Sequence, residues 1–267
     1  MNAGRTARER VRAELVREIT EIARRQLATD GAAGLSLRAV AREMGMVSSA
    51  IYRYFPSRDD LLTTLIIDGY NAVGAAVEKA GAVPAREDYA GRWLAACCAV
   101  RDWALAHPHE YALVYGSPVP GYRAPERTIG PASRAAAVFG AIIGDAYRAG
   151  AASRGASTGS TVGPERARVA GDAGAGIYGA VGPGGARVPG AAVSAPESFA
   201  PDAARLRDAI LDGVPDHVAA TALIAWSGLF GLVSFELFGQ FENVVTDRAA
   251  FFDYAAACLG RLTGVSV

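Results

Sequence analysis

The chain has 267 residues, is 51% hydrophobic and 20% charged, and carries no net charge. That excludes a disordered chain and leaves ample apolar surface for one large or two modest domains. Three cysteines, two of them the adjacent Cys97 and Cys98, exclude a disulfide framework.

The charge is unevenly spread. Residues 1–58 hold 11 Arg against 6 Asp and Glu, a surplus of five that the remainder must cancel. A basic head on an acidic body suits a small nucleic-acid-binding unit attached to a body with another task. The opening MNAGRTARERVRAEL has no apolar run of the kind a secretory leader needs. The longest apolar stretch, 219–235, is broken by Ser227, Gly228, Gly231 and Ser234 and is short for a membrane span. A cytoplasmic protein without a membrane partner is expected.

The spacing predicts a first helix over 6–28, with Val11, Leu15, Ile19 and Ile22 as its apolar stripe. Arg5, Arg8, Arg10 and Arg12 crowd its start, the unfavourable end of the helix dipole. They read either as a solvated arm or as an arm meeting phosphates. Ser36 can cap a second helix over 37–44, Gly45 breaks it, and a third helix is expected over 48–55. Pro56-Ser57 turns the chain into a fourth helix reaching about residue 79, with Asp59 and Asp60 in its first turn. Beyond Pro84, helices are expected over 88–106, 109–115 and 127–149, with a Pro/Gly loop over 116–125. Residues 150–189 are mostly Gly, Ala, Ser, Pro and Val, and read as a disordered or loosely packed insertion, extending to 198 at most. A small-residue loop with β character is the structural alternative. Helices resume over 202–211 and 216–238, and Thr246 can cap the last one.

The stretch AREMGMVSSAIYRYFPSRDDLL carries the chemistry. A helix-turn-helix needs a small residue where its helices cross, a glycine in the turn and a branched clamp on the second helix. Ala41, Gly45 and Ile51 have that spacing, supported by Leu37, Val40 and Met46. Ser48, Ser49, Tyr52 and Arg53 would then face outward, where serine and tyrosine reach phosphates and base edges and arginine pairs with guanine.

The run IYRYFPSRDDLL (51–62) resembles the TetR family of bacterial transcriptional regulators, and the likeness extends over about 10–62. AWSGLFGLVSFELFGQF (225–241) also resembles a C-terminal subclass of that family, with Phe230-Gly231 where a His-Gly pair is usual. The resemblance implies an all-α protein: a three-helix DNA-binding head (1–56) and a helical effector-binding and dimerisation domain (57–267). It implies a homodimer on a palindromic duplex operator, a repressor released by a small effector, with no cofactor. By position, Ser48, Ser49, Tyr52 and Arg53 would enter the groove. Tyr54 and Arg58 would touch phosphates, and Ser36 and Arg38 would meet the backbone. Val47 stands where a Ser or Thr cap is common, so the cap could shift to Ser48.

Helix 216–238 is apolar on two faces. Leu223, Trp226, Phe230, Val233 and Leu237 form one stripe; Ile224, Gly228, Gly231, Phe235 and Phe238 form the other. With Phe252, Ala256 and Leu259 of the last helix, the second stripe could build a four-helix bundle across a twofold axis; both faces could also be internal core. Candidate effector-pocket residues are Trp93, Cys97, Trp103, Tyr111, Tyr115, Phe139, Trp226 and Phe230, which suits an uncharged, apolar molecule. An enzyme is disfavoured: Cys97 and Cys98 diverge by about 100° on a helix, and His107 and His109 lie about 15 Å or more along it, which is poor ligand geometry. A non-specific architectural DNA binder is the other alternative.

Overall fold

The computed structural model describes the backbone of residues 3–157 and 195–265, and the side chains of 7–150 and 195–265. Ten α-helices occur among them and no strand: α1 (Ala3–Gly34), α2 (Leu37–Glu43), α3 (Ser48–Ile51), α4 (Arg58–Gly81), α5 (Tyr89–Ala106), α6 (Pro108–Tyr115), α7 (Ile129–Ser157), α8 (Ala200–Ala209), α9 (Asp216–Leu237) and α10 (Arg248–Leu262). The all-α expectation is met.

Local chemistry sets the boundaries. Ser36 Oγ accepts from Ala39 N at 3.4 Å, and Ser57 Oγ from Asp60 N at 3.1 Å, as N-caps should. Asp59 and Asp60 sit in the first turn of α4, where the helix dipole favours acids. Asp247, rather than the expected Thr246, caps α10, accepting from Ala250 N at 2.9 Å. Gly45 takes φ +66° in the turn between α2 and α3, a conformation that costs any other residue.

Several elements differ from expectation. Val11, in the first half of α1, is exposed, and only Ile19 and Ile22 of its stripe are buried. α3 is a single turn, and 52–54 continue as tighter turns, with Tyr54 N donating to Ile51 O at 2.9 Å. Its N-cap is Val47, which makes no side-chain bond, so Ser48 stays on the outer surface. Residues 150–157 prolong α7; the remainder of the expected insertion, apart from 195–198, lies outside the described residues.

Two hydrophobic cores form. The first joins Ile19 and Ile22 to Leu37, Val40, Ala41, Ile51 and Phe55. Leu61, Leu62, Leu65 and Ile66 of α4 belong to it too, so the boundary expected at residue 56 runs through this core. At roughly 1.5–3 kcal/mol for each buried aliphatic side chain, those four contribute much of its stability. α4 then enters the second core through Val73 and Val77, beside Trp93, Tyr111, Phe139 and Phe230. One helix is thus built into both units.

The body is locked by polar ties. Trp93 Nε1 donates to Ala256 O at 2.8 Å, holding α5 to α10. Arg101 binds Glu236 with both arms, at 2.7 and 2.6 Å, and lies over the Phe252 ring. These ties correct part of the expected dimer surface, because Phe252 and Ala256 are buried inside the protomer. Gly228 is committed internally as well: a Cβ there would stand 2.9 Å from Leu259 Cδ2, so this pair lets α9 and α10 approach. Ile224 and Phe235 remain exposed, with Leu223, Phe238, Phe251 and Tyr254 nearby in the chain. By length and composition α9 could cross a membrane, longer than the broken stretch suggested; here it packs on α5, α8 and α10.

Candidate nucleic-acid interface and effector cavity

The head presents one polar surface. Ser48, Ser49, Tyr52 and Arg53 are all exposed, together with Val47, while Ile51 beneath them is fully buried. Burial of Ile51 is what turns the others outward, since one helical turn cannot bury both sides. Arg12 of α1 braces this surface: its guanidinium donates to Arg53 O at 3.2 Å and lies 5.1 Å from the Tyr54 ring centre. Tyr54 is therefore half-buried, with its ring held against the head. Arg38 is exposed on α2, and Ser36 is half-buried at its cap.

The arginine surplus divides in two. Arg24 pairs with Asp68 at 2.8 Å and Arg25 with Glu43 at 2.7 Å, so these serve the fold. Arg38, Arg42 and Arg53 are exposed and form no ion pair among the described residues. Arg42 escaped the sequence reading, although its spacing of four from Arg38 puts both on one face of α2. Arg58 departs furthest from expectation. Its Nε donates to Leu35 O at 3.1 Å and its Nη2 to Ala32 O at 2.6 Å, so it closes the α1–α2 turn onto α4 instead of reaching outward.

The body contains a cavity of about 220 Å³ between α5, α7, α8 and α9. Trp93, Phe139 and Trp226 line it as expected. Ile143, Leu206, Ile210, Leu211 and Leu229 also line it, residues that carry no local signal beyond apolar character. Gly140 shapes it: a Cβ there would stand 2.1 Å from Ile210 O, so only glycine admits the end of α8 this close to α7. Cys97, Trp103, Tyr111, Tyr115 and Phe230 do not line the cavity. Tyr111 is core, its hydroxyl donating to Phe230 O at 3.0 Å and paired with Ser234 Oγ at 2.9 Å. Trp103 instead stacks on His107 at 5.5 Å and faces the cleft between head and body. Cys97 is fully buried, and burial pushes its thiol well up, with Cys98 adding to the effect. That removes it from nucleophile chemistry.

A small helix-turn-helix head with an outward polar turn, on a larger helical body, defines a class of DNA-binding regulator. Comparison with known proteins places the chain within that class. Residues 19–65 match the bacterial regulatory proteins of the tetR family, and residues 93–259 match the tetracyclin repressor-like C-terminal domain. The chain is 38% identical over 251 residues to the HTH-type transcriptional regulators Rv1816 of Mycobacterium tuberculosis and Mb1846 of Mycobacterium bovis, covering 93% of this chain and 90% of each relative. Among solved structures it resembles the candidate regulatory protein SCO4313, at 31% identity and TM-score 0.67 over 94% of this chain and 97% of that one. A Rhodococcus protein of unknown function shares the fold, at 22% identity and TM-score 0.57 over 93% of each chain. The chain belongs to the TetR family: it is a DNA-binding transcriptional regulator and not an enzyme.

Proposed function

We propose that this regulator acts in the cytoplasm as a homodimeric repressor, binding a palindromic operator and leaving it when a small apolar effector occupies the body. The observation that carries this reading is the continuity of α4, built into the head core by Leu61–Ile66 and into the body core by Val73 and Val77. A shift of α4 in the body core would be carried into the head core without an intervening hinge. Ser48, Ser49, Tyr52 and Arg53 are the proposed groove residues, with Val47 at their edge. Arg38, Arg42, Tyr54 and Ser36 are the proposed backbone contacts. The proposed dimer surface is the apolar stripe of exposed Ile224 and Phe235 with half-buried Gly231 between them, joined by exposed Phe251 and Tyr254 of α10. Apolar patches of this kind are left exposed where a partner covers them.

The test is fluorescence anisotropy with DNA from upstream of the protein's own gene, against scrambled DNA, at about 0.15 M salt. Tight, sequence-dependent binding with two half-sites per dimer is expected. Arg53→Ala should relax preference at one position by ~1–3 kcal/mol, and Tyr54→Ala should weaken all sequences alike. Equal weak binding to own and random-selected DNA, unchanged in either variant, would instead favour an architectural binder.

A further inference from the structure

The Tyr115 hydroxyl is buried and has no hydrogen-bond partner among the described residues. Its neighbours show that this is particular to Tyr115. Tyr70 donates to Val114 O at 3.1 Å, and Tyr111 to Phe230 O at 3.0 Å. A buried hydroxyl without a partner costs free energy, and folded proteins rarely keep one without a use. Burial also pushes its phenol pKa up, so the group stays a neutral donor.

Its position suggests the use. The Tyr115 ring packs 4.3 Å from that of Phe230, and Phe230 packs 4.5 Å from Trp226, which lines the cavity. Two aromatic rings, Phe230 and then Trp226, therefore link Tyr115 to the apolar cavity. Among the described residues, the cavity walls contain no charged side chain. At the ~30 Å³ that a water-sized unit occupies, the space takes a body of about seven heavy atoms.

Resting on the effector reading above, we propose that the effector is an uncharged amphiphile. Its apolar body enters the α7–α8–α9 cavity, and one oxygen accepts from Tyr115 Oη as Trp226 and Phe230 turn aside. A carboxylate is disfavoured by the surroundings: among the described residues no cation lines the cavity, the charges Tyr115 feels are those of Tyr70 and Tyr111, and an unpaired buried charge is costly. Tyr115 thus selects for a neutral oxygen, and the cavity selects for length.

The test is tryptophan fluorescence titration of the full chain, since Trp93 and Trp226 line the cavity. The probes are 2-heptanone, n-heptane and heptanoate, on wild type and Tyr115→Phe. The ketone should bind wild type about tenfold more tightly than the variant, which corresponds to ~1.4 kcal/mol. Heptane should bind both alike, and heptanoate at least tenfold more weakly than the ketone. The variant should melt no lower than wild type, because it loses an unpaired hydroxyl. Equal ketone affinity for both proteins, heptanoate binding as tightly as ketone, a lower melting temperature in Tyr115→Phe, or no probe binding at all would each overturn the proposal. Operator release is measured separately. Ketone discrimination without release of DNA would uphold the Tyr115 subsite while removing the effector-release reading. Release by a charged ligand would do the reverse.

Discussion

Arg58 offers the sharpest separation between a fold role and a DNA role. Its guanidinium donates to the carbonyls of Leu35 and Ala32, at 3.1 and 2.6 Å, with a longer bond to Ala33 at 3.4 Å. Two good charge-assisted bonds are worth roughly 1.5–3 kcal/mol each. About a third of the side chain meets solvent, at 32% exposure, and the freed carbonyls can rehydrate. About half that total should be lost on truncation, so Arg58→Met is expected to cost ~1.5–3 kcal/mol. For a chain of this size that lowers Tm by roughly 5–10 °C. Arg58→Lys should recover less than half, because an ammonium cannot span both carbonyls in one plane. The second readout is the salt dependence of DNA affinity. Each phosphate contact contributes about 0.9 to the slope of log K against log salt. A structural arginine leaves that slope unchanged once measurements are made well below the melting transition. An Arg58→Met protein with wild-type Tm and a slope smaller by about one per head would refute the argument and restore Arg58 to the phosphate surface.

Three further predictions follow from the body. Gly140→Ala should cost ~1–3 kcal/mol through overpacking against Ile210 O and should displace α8, read as a lower Tm and altered Trp93 and Trp226 emission; an unchanged melt would show that α8 is not held there. Glu236→Gln should lower stability by roughly 2–4 kcal/mol in urea melts, because it leaves Arg101 without its charge partner between α5 and α9. Asp145 is opposed by burial, but hydrogen bonds from Arg148 and Arg92 outweigh it and hold its pKa below the usual carboxylate value. With the folded pKa below the unfolded one, its stabilisation is fully present above about pH 4–5 and disappears as pH falls through the folded pKa. The stability gap between wild type and Asp145→Asn should therefore shrink on acidification, and a gap constant down to pH 2 would contradict the assignment.

The head was legible because its constraints are local. Ala41, Gly45 and Ile51 obey a spacing that the turn geometry imposes, and Ser36 and Ser57 announce their helices by capping chemistry that acts within three residues. The body was legible as helices but less so as a site. Phe252 and Phe235 both sit on apolar helix faces, and nothing in periodicity tells which face meets α5 and which meets solvent. Arg58 misled for a similar reason: its partners, Ala32 and Leu35, lie more than twenty residues earlier and offer only backbone carbonyls. The cavity depends on Gly140 approaching Ile210 across α7 and α8, a pairing that no local pattern encodes.

The coupling between cavity and head need not travel along α4 alone. The loop after α6 returns to the head, where Val119 and Tyr122 pack against its core. Tyr122 Oη meets Thr63 Oγ1 at 2.9 Å, and Thr63 is itself buried in the second turn of α4. Arg127, just beyond the loop, approaches Asp60 at 3.5 Å. α6 itself, which leads into this loop, carries Tyr111 and Tyr115, packed on Phe230. A ligand that moves Phe230 would therefore press on α6, and α6 is fastened through its loop to the first turns of α4. Packed interiors transmit such shifts because they have few alternative arrangements. The effect is bounded by thermodynamics: the ligand can weaken DNA binding only by its difference in affinity for the two head positions. A cavity this small offers few contacts with which to build that difference, so the proposed oxygen–Tyr115 bond, made only when Trp226 and Phe230 have moved, supplies the discrimination that apolar filling of the resting cavity cannot.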